Sequence, residues 1–249
     1  MRSAGIGAHL STFLRSFVIQ GSWNYRTMLG GGFAFCILPV LRRLYGGDPE
    51  MFQDALRRHS EHFNAHPYLA DLALGAVCRM EEEGRDPEEI GRFKTVLRGP
   101  LGSLGDALVW VGWRPAMVLA SLALALAGSS PGTVVAFFLL FYNLGHLALR
   151  VWGFRVGLER GSQVGDSLRV LSLPKQAERM GGVGMFLLGG ISGLTLIHAW
   201  ELGGRTLLWA LPVALGLWVG SRVGQRSWRW ALWGISGTLG AVFLFGWFG

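Results

Sequence analysis

The residues of this 249-residue chain whose types and spacing suit chemistry gather in two places. Gly99-Pro100-Leu101-Gly102-Ser103-Leu104-Gly105-Asp106 combines backbone-permissive glycines, a proline and a lone carboxylate just ahead of an apolar stretch. Non-helical backbone at membrane depth is tolerated only where protein covers it or where it lines a polar cavity. An acid at that depth marks a functional position by default. Asp106 therefore reads either as a group on a substrate path or as the cap of the following helix. The second cluster holds Asn64, His66 and the acidic run Glu81 to Glu83. Acids at a helix C-terminus oppose the helix dipole, a mild cost that hints at use; a solvated helix end is the plainer account.

Other reactive constellations are missing. His59, His62 and His66 would share a face only if their helix ran to His66, and Pro67 argues that it stops, so no metal site is expected. Cys36 and Cys78 have no accompanying base pattern, and neither a G-x-S-x-G motif nor a P-loop is present. No catalytic residue and no cofactor is expected. Gly30-Gly31-Gly32 and Gly181-Gly182 lack strand context and suit close helix packing instead. Asn143 and His146 lie one turn apart in an apolar run, which suggests a hydrogen bond between helices.

The elements that must position these groups are helical. Leu10, Phe13, Leu14, Phe17 and Val18 recur at helical spacing, giving an amphipathic helix for the bilayer or a partner, or else an ordinary core-facing helix. Phe52, Ala55, Leu56, His59 and Phe63 mark a helix over 50–63. Another starts near Pro67 and runs to about Glu83, where Gly84 ends it; a third starts at Asp86-Pro87-Glu88-Glu89 and is stopped by Gly99-Pro100. No convincing strand is visible.

Composition separates a polar N-terminal part from an apolar remainder. Apolar residues make up 51% of the chain, charged residues only 16%, and the mean hydropathy is +0.37. That excludes a disordered chain, and two cysteines exclude a disulfide scaffold. The net charge of +7 fits a nucleic-acid binder or a membrane protein with a positive cytoplasmic face, and the position of the charges decides for the second. Residues 1–100 hold 12 Lys/Arg and 11 Asp/Glu, whereas residues 101–249 hold 11 and 5. Uncharged runs give five candidate spans: 115–127 and 133–149, joined by the turn Gly128-Ser129-Ser130-Pro131-Gly132, then 180–200, 206–221 and 230–248. The first is short unless it borrows from Ala107 to Trp113. Basic residues crowd the connections 150–179 and 222–229 and avoid 128–132, placing the N-terminal part and those connections in the cytoplasm and the C-terminus outside. No cleavable signal peptide is expected. The fold class is thus all-α: a polytopic helical membrane protein with an N-terminal helical cytoplasmic or interfacial region (1–98), a 99–161 segment carrying the glycine motif and the hairpin with re-entrant or discontinuous helices, and C-terminal transmembrane helices (162–249).

Several motifs in register resemble one family. G-S-W-N-Y-R at 21–26, L-R-R-L-Y at 41–45, H-F-N-A-H-P-Y at 62–68, M-E-E-E at 80–83, G-P-L-G-S-L-G-D at 99–106, W-R-P at 113–115 and N-L-G-H-L-A-L-R at 143–150 follow the order of the IID subunit of mannose-family sugar phosphotransferase permeases. The likeness covers about residues 10–161 and fades beyond Gly161; Gly102-Ser103 stands where Ala-Gly is usual in the family. The resemblance implies a non-catalytic subunit of the bacterial inner membrane that pairs with a IIC subunit to move a hexose or hexosamine. Cytoplasmic IIA and IIB would relay the phosphate, and IIC–IID pairs would form a higher oligomer. It further implies Asn64, His66 and Asp106 as groups lining the sugar path, with Glu81 and the aromatic face of Trp110 as additional candidates. Gly99, Pro100, Gly102 and Gly105 would shape that path. The alternative is a membrane scaffold or regulatory subunit that binds phosphotransferase proteins without moving sugar.

Overall fold

The computed structural model describes residues 3–166, 173–201 and 236. Apart from residue 236, the expected spans at 206–221 and 230–248, the connection 222–229 and the C-terminus lie outside the described residues. Helices follow one another as α1 (Ile6–Ser16), α2 (Gly30–Tyr45), α3 (Pro49–Ser60), α4 (Ala70–Glu82) and α5 (Pro87–Gly105). A π-helical stretch (Asp106–Trp113) leads into α6 (Arg114–Leu126), and α7 (Pro131–Arg160) and α8 (Leu173–Glu201) complete the described elements. Two compact units result: residues 1–106 with 145–173, and residues 107–144 with 174–249.

Local chemistry sets most boundaries of the first unit. Asp48 caps α3 by accepting from the amides of Glu50 and Met51, with Pro49 in the first turn. Asp86 does the same for α5 through Glu88 and Glu89, as the sequence suggested. Gly84 leaves α4 at φ 67°, a left-handed conformation that suits glycine. Between α3 and α4 the chain is extended, and Phe63 pairs its backbone with Thr27 and Leu29.

The core of this unit is centred on α2 and α4. α4 is buried nearly all round, from Ala70 to Cys78 and again at Met80 and Glu81. The amphipathic face expected for it is therefore only part of what it buries. α2 was not legible as a helix, since it opens on three glycines and contains Pro39. Those glycines allow contact instead: a Cβ on Gly30 would meet the Glu61 carbonyl and one on Gly32 the Ile19 carbonyl. Phe33, Cys36, Ile37, Val40 and Leu41 fill the space beneath.

Several sequence expectations are corrected, beginning with the 50–63 helix, which ends at Ser60 and leaves Phe63 in a backbone bridge. Gly99-Pro100 does not stop the third helix, because α5 runs through Pro100 to Gly105. Leu97, Leu101 and Gly105 are buried at four-residue spacing. Burying two leucines stabilises by about 1.5–3 kcal/mol each, which offsets the ~3 kcal/mol cost of an internal proline. Asp106 does not cap a new helix, since its backbone is already helical and it opens the π stretch. Residues 150–160 are not a loop, because α7 continues to Arg160. The reason is Gly153 and Gly157, on which a Cβ would meet the backbone of Leu72 and Ala76, so the helix is held against α4 well past the apolar run.

The second unit carries the apolar stretches. The π stretch and α6 together supply the length that the 115–127 run lacked, from Ala107 as anticipated. Pro115 has no N–H for the carbonyl of residue 111 and crowds it; the wider π turn just before relieves that crowding. Helices spanning Pro87–Leu126 and Pro131–Asp166 are long and apolar enough to cross a membrane. Val118, Leu122, Val135, Leu139, Leu140 and Leu144 are all exposed, as side chains facing lipid would be. Asn143 bonds back to the Leu139 carbonyl of its own helix at 2.6 Å, in place of a bond to another helix.

Candidate functional site

The glycine motif and the Asn64–His66 part of the second cluster meet in the first unit. The extended segment 64–66 lies on α5: a Cβ on Gly102 would stand 3.9 Å from the Asn64 carbonyl oxygen, and one on Gly105 would overlap Cβ and Cγ of His66. Gly105 is thus required by the close approach of His66. Asp106 follows at once and is exposed, as is Asn64, while His66 is buried. Burial pushes the His66 imidazole down to about 4, with Arg150 adding to the effect, so it is neutral at pH 7. Neutral imidazole, amide and carboxylate are hydrogen-bonding groups suited to a hydroxyl-rich ligand. Gly99 is different, with open space around its Cβ direction. Gly105→Ala is therefore expected to destabilise by about 1–3 kcal/mol through overpacking, whereas Gly99→Ala is expected to be neutral or to stabilise by up to ~1 kcal/mol. Thermal midpoints of the purified variants in one detergent check the contrast.

His66 is held from the other side by a buried polar relay that the sequence did not single out as one. Tyr68 meets His66 edge-on at 5.0 Å and stacks on His146 at 4.0 Å. Arg150 donates to His146 Nε2 at 2.7 Å, to Asp71 Oδ2 at 2.7 Å, and to Ser16 Oγ and the Ser16 carbonyl, both at 3.2 Å. Its guanidinium lies over the rings of Phe17 and Tyr68. Arg150 is 3% exposed and Asp71 fully buried. Burial raises the Asp71 carboxyl to about 6 against the pull of Arg150, so the pair is ionised at pH 7. An Arg inside an apolar run's end, one turn after a His, was the available signal.

Glu81 belongs to a separate buried cluster. Its carboxylate accepts from Arg58 Nη2 at 2.6 Å, His59 Nε2 at 2.7 Å and the Tyr45 hydroxyl at 2.6 Å. Burial alone would raise this carboxyl, but the three donors hold it at about 2. His59, fully buried, is pushed down to about 4 and donates as a neutral ring. Lys94 closes the cluster by donating to the carbonyls of Arg58 and His59 and lying 4.7 Å over Phe33. A cavity of about 380 Å³ opens beside it, lined by Tyr45, Met51, the 81–85 turn and Pro87.

Trp110 sits on the π stretch, 37% exposed, with Arg114 stacked 5.0 Å from its ring. Among the described residues no group of three metal-ligating side chains forms. Cys36 and Cys78 are buried, and burial raises Cys36 to about 12, far from a thiolate.

Helical elements throughout the described residues, apolar spans with exposed leucines, and polar groups gathered beside a glycine-rich helix define an all-α membrane protein. The profile of the PTS system mannose/fructose/sorbose family IID component matches residues 7–199, and the chain belongs to that family. The match reaches beyond the 10–161 stretch that holds the motifs. The chain is 36% identical over 193 residues to the mannose-specific EIID component of Escherichia coli K12, covering 76% of this chain and 66% of the relative. It is 32% identical to the fructose permease IID component of Bacillus subtilis, covering 73% and 66%. The chain thus spans just under two thirds of the length of these relatives. A cryo-EM structure of the mannose transporter ManYZ with microcin E492 superposes with a TM-score of 0.62 at 26% identity, covering 99% of this chain and 97% of that one. Another solved membrane protein gives 0.71 at 27% identity, covering 98% and 97%.

Proposed function

We propose that this chain is the membrane-embedded IID subunit that, paired with a IIC subunit, translocates a hexose or hexosamine while IIA and IIB supply the phosphate. The observation that carries the reading is the seating of the Asn64–His66 segment on Gly102 and Gly105, next to Asp106, in a chain of this family. The relatives' names point to mannose, fructose or sorbose as cargo. In this reading Asp106 accepts from sugar hydroxyls, Asn64 both donates and accepts, and His66 contributes a neutral ring nitrogen. Gly99, Pro100, Gly102 and Gly105 shape the helix that carries the acid, and Trp110 offers an aromatic face to the sugar ring. Glu81 acts from its own cluster by fixing α3 to α4, a positioning residue rather than a sugar ligand. The subunit performs no covalent step itself.

The test is phosphoenolpyruvate-dependent uptake of labelled mannose and glucosamine into vesicles holding this chain co-expressed with its genome's IIC, supplied with IIA and IIB. Asp106→Asn is expected to lower uptake about 10- to 100-fold, the loss of a charge-assisted hydrogen bond of about 1.5–3 kcal/mol, while the IIC complex still purifies intact. Equal loss of uptake and assembly would return Asp106 to a structural role. A stable wild-type complex that takes up no hexose would favour the regulatory alternative.

A further inference from the structure

α1 is built inside out. The residues it buries fully are small or polar: Ala8, Thr12 and Ser16. The large apolar residues Ile6, Leu10 and Leu14 point away, 87%, 55% and 59% exposed, and Phe17 and Val18 just past the end of the helix are 43% and 56% exposed. These five recur at helical spacing over about 18 Å of axis. No charged side chain interrupts them. The two basic neighbours are turned aside: His9 binds Glu82 at 3.0 Å, and Arg15 donates to the Phe35 carbonyl at 3.1 Å while its guanidinium lies over the Phe35 ring. Water would be a poor medium for such a stripe.

The stripe is continuous with the surface of α7, one of the two helices long and apolar enough to cross a membrane. Phe13 packs on Phe154 at 5.5 Å and Phe17 on His146 at 6.0 Å, and Leu147, next to His146, is itself 44% exposed. Just past α1 the exposed Trp23 and Tyr25 meet edge to face at 4.8 Å. Amphipathic aromatics of this kind collect at the level of lipid headgroups. We propose that α1 lies in the plane of the membrane interface, its Ile6–Leu10–Leu14 face, continued by Val18 and the exposed part of Phe17 just past its end, immersed among lipid acyl chains beside α7. The helix thereby anchors the first unit to the bilayer, and the buried Ser16–Arg150 contact ties it to the span it accompanies.

The experiment uses the full chain co-expressed with its IIC subunit and reconstituted into vesicles of phosphatidylcholine and phosphatidylglycerol. Nitroxides are placed singly at Leu10→Cys and Leu14→Cys, and at Arg57→Cys as the water-facing reference; the native cysteines are buried. Relaxation by oxygen and by an aqueous nickel chelate is then compared. Labels at 10 and 14 are expected to be mobile, relaxed by oxygen and shielded several-fold from nickel relative to position 57. Nickel access equal to that at position 57 overturns the proposal, because the face then sees water. Immobile labels shielded from both reagents overturn it too, because a protein surface then covers the face. Neither readout depends on sugar transport.

Discussion

Arg150→Ala is expected to produce the largest loss of stability in the first unit. Removing one partner of a buried ion pair leaves the other charge uncompensated and costs about 3–5 kcal/mol. Here Asp71 would be left buried without its cation, and Ser16 and His146 would lose their donor in the same step. For a chain of this size that corresponds to a fall of roughly 10 °C or more in the thermal midpoint. The guanidinium also sits between the Phe17 and Tyr68 rings, so the aromatic contact leading to His66 loses its support. Arg150→Lys retains the charge but not the planar fork, and is expected to recover only part of the midpoint. Asp71→Asn separates charge from shape: its carboxyl is raised from 3.8 to about 6 by burial, so the folded chain binds a proton more readily than the unfolded chain between those values. Stability contributed by this group therefore falls as pH rises from about 4 to 6, and the Asn variant is expected to lack that slope. Denaturation midpoints across this pH range, measured in one detergent, check the difference.

Glu81→Ala is the second large effect, again about 3–5 kcal/mol, since Arg58, His59 and Tyr45 would lose one common acceptor in a buried site. Its pH signature has the opposite sign to that of Asp71. The Glu81 carboxyl is lowered from 4.5 to about 2, so its contribution is complete above pH 4.5 and is lost as pH falls toward 2. His59 is lowered from 6.5 to about 4, so the unfolded chain takes up a proton first and stability declines as pH falls through that window. The losses at His59 and His66 between about pH 6.5 and 4 are opposed by the gain at Asp71, and the acid limb is expected to steepen below 4.5, where Glu81 takes up its proton. In Glu81→Ala the portion below 4.5 assigned to Glu81 is expected to vanish while overall stability is lower throughout; an unchanged acid limb would show that Glu81 is not the hub.

These two clusters show where reading the sequence stops. Asp71 and Arg150 are 79 residues apart, and Arg58 and Glu81 are 23 apart. Nothing in local spacing pairs them, because the Arg58–Glu81 pair depends on how α3 packs on α4 and the Asp71–Arg150 pair on how closely α7 approaches α4. That closeness comes from Gly75, Gly153 and Gly157, where a side chain would meet the partner backbone. The motif glycines, by contrast, divided only in three dimensions: Gly105 is needed by His66, and Gly99 faces open space.

The sequence by itself determined the class. Apolar run lengths, the collapse of charge after residue 100, the Asp86 cap, the Gly84 stop and the ordered family motifs all rest on local or compositional physics, which a string of residues carries in full. Tertiary structure alone decided the rest. It carried α2 through three glycines and Pro39, and α5 through Pro100, because buried contacts outweigh helix propensity. It also turned the apolar face of α1 outward. Periodicity reveals that a helix has two faces, and only the packing of Ala8, Thr12 and Ser16 against the protein reveals which face is inside.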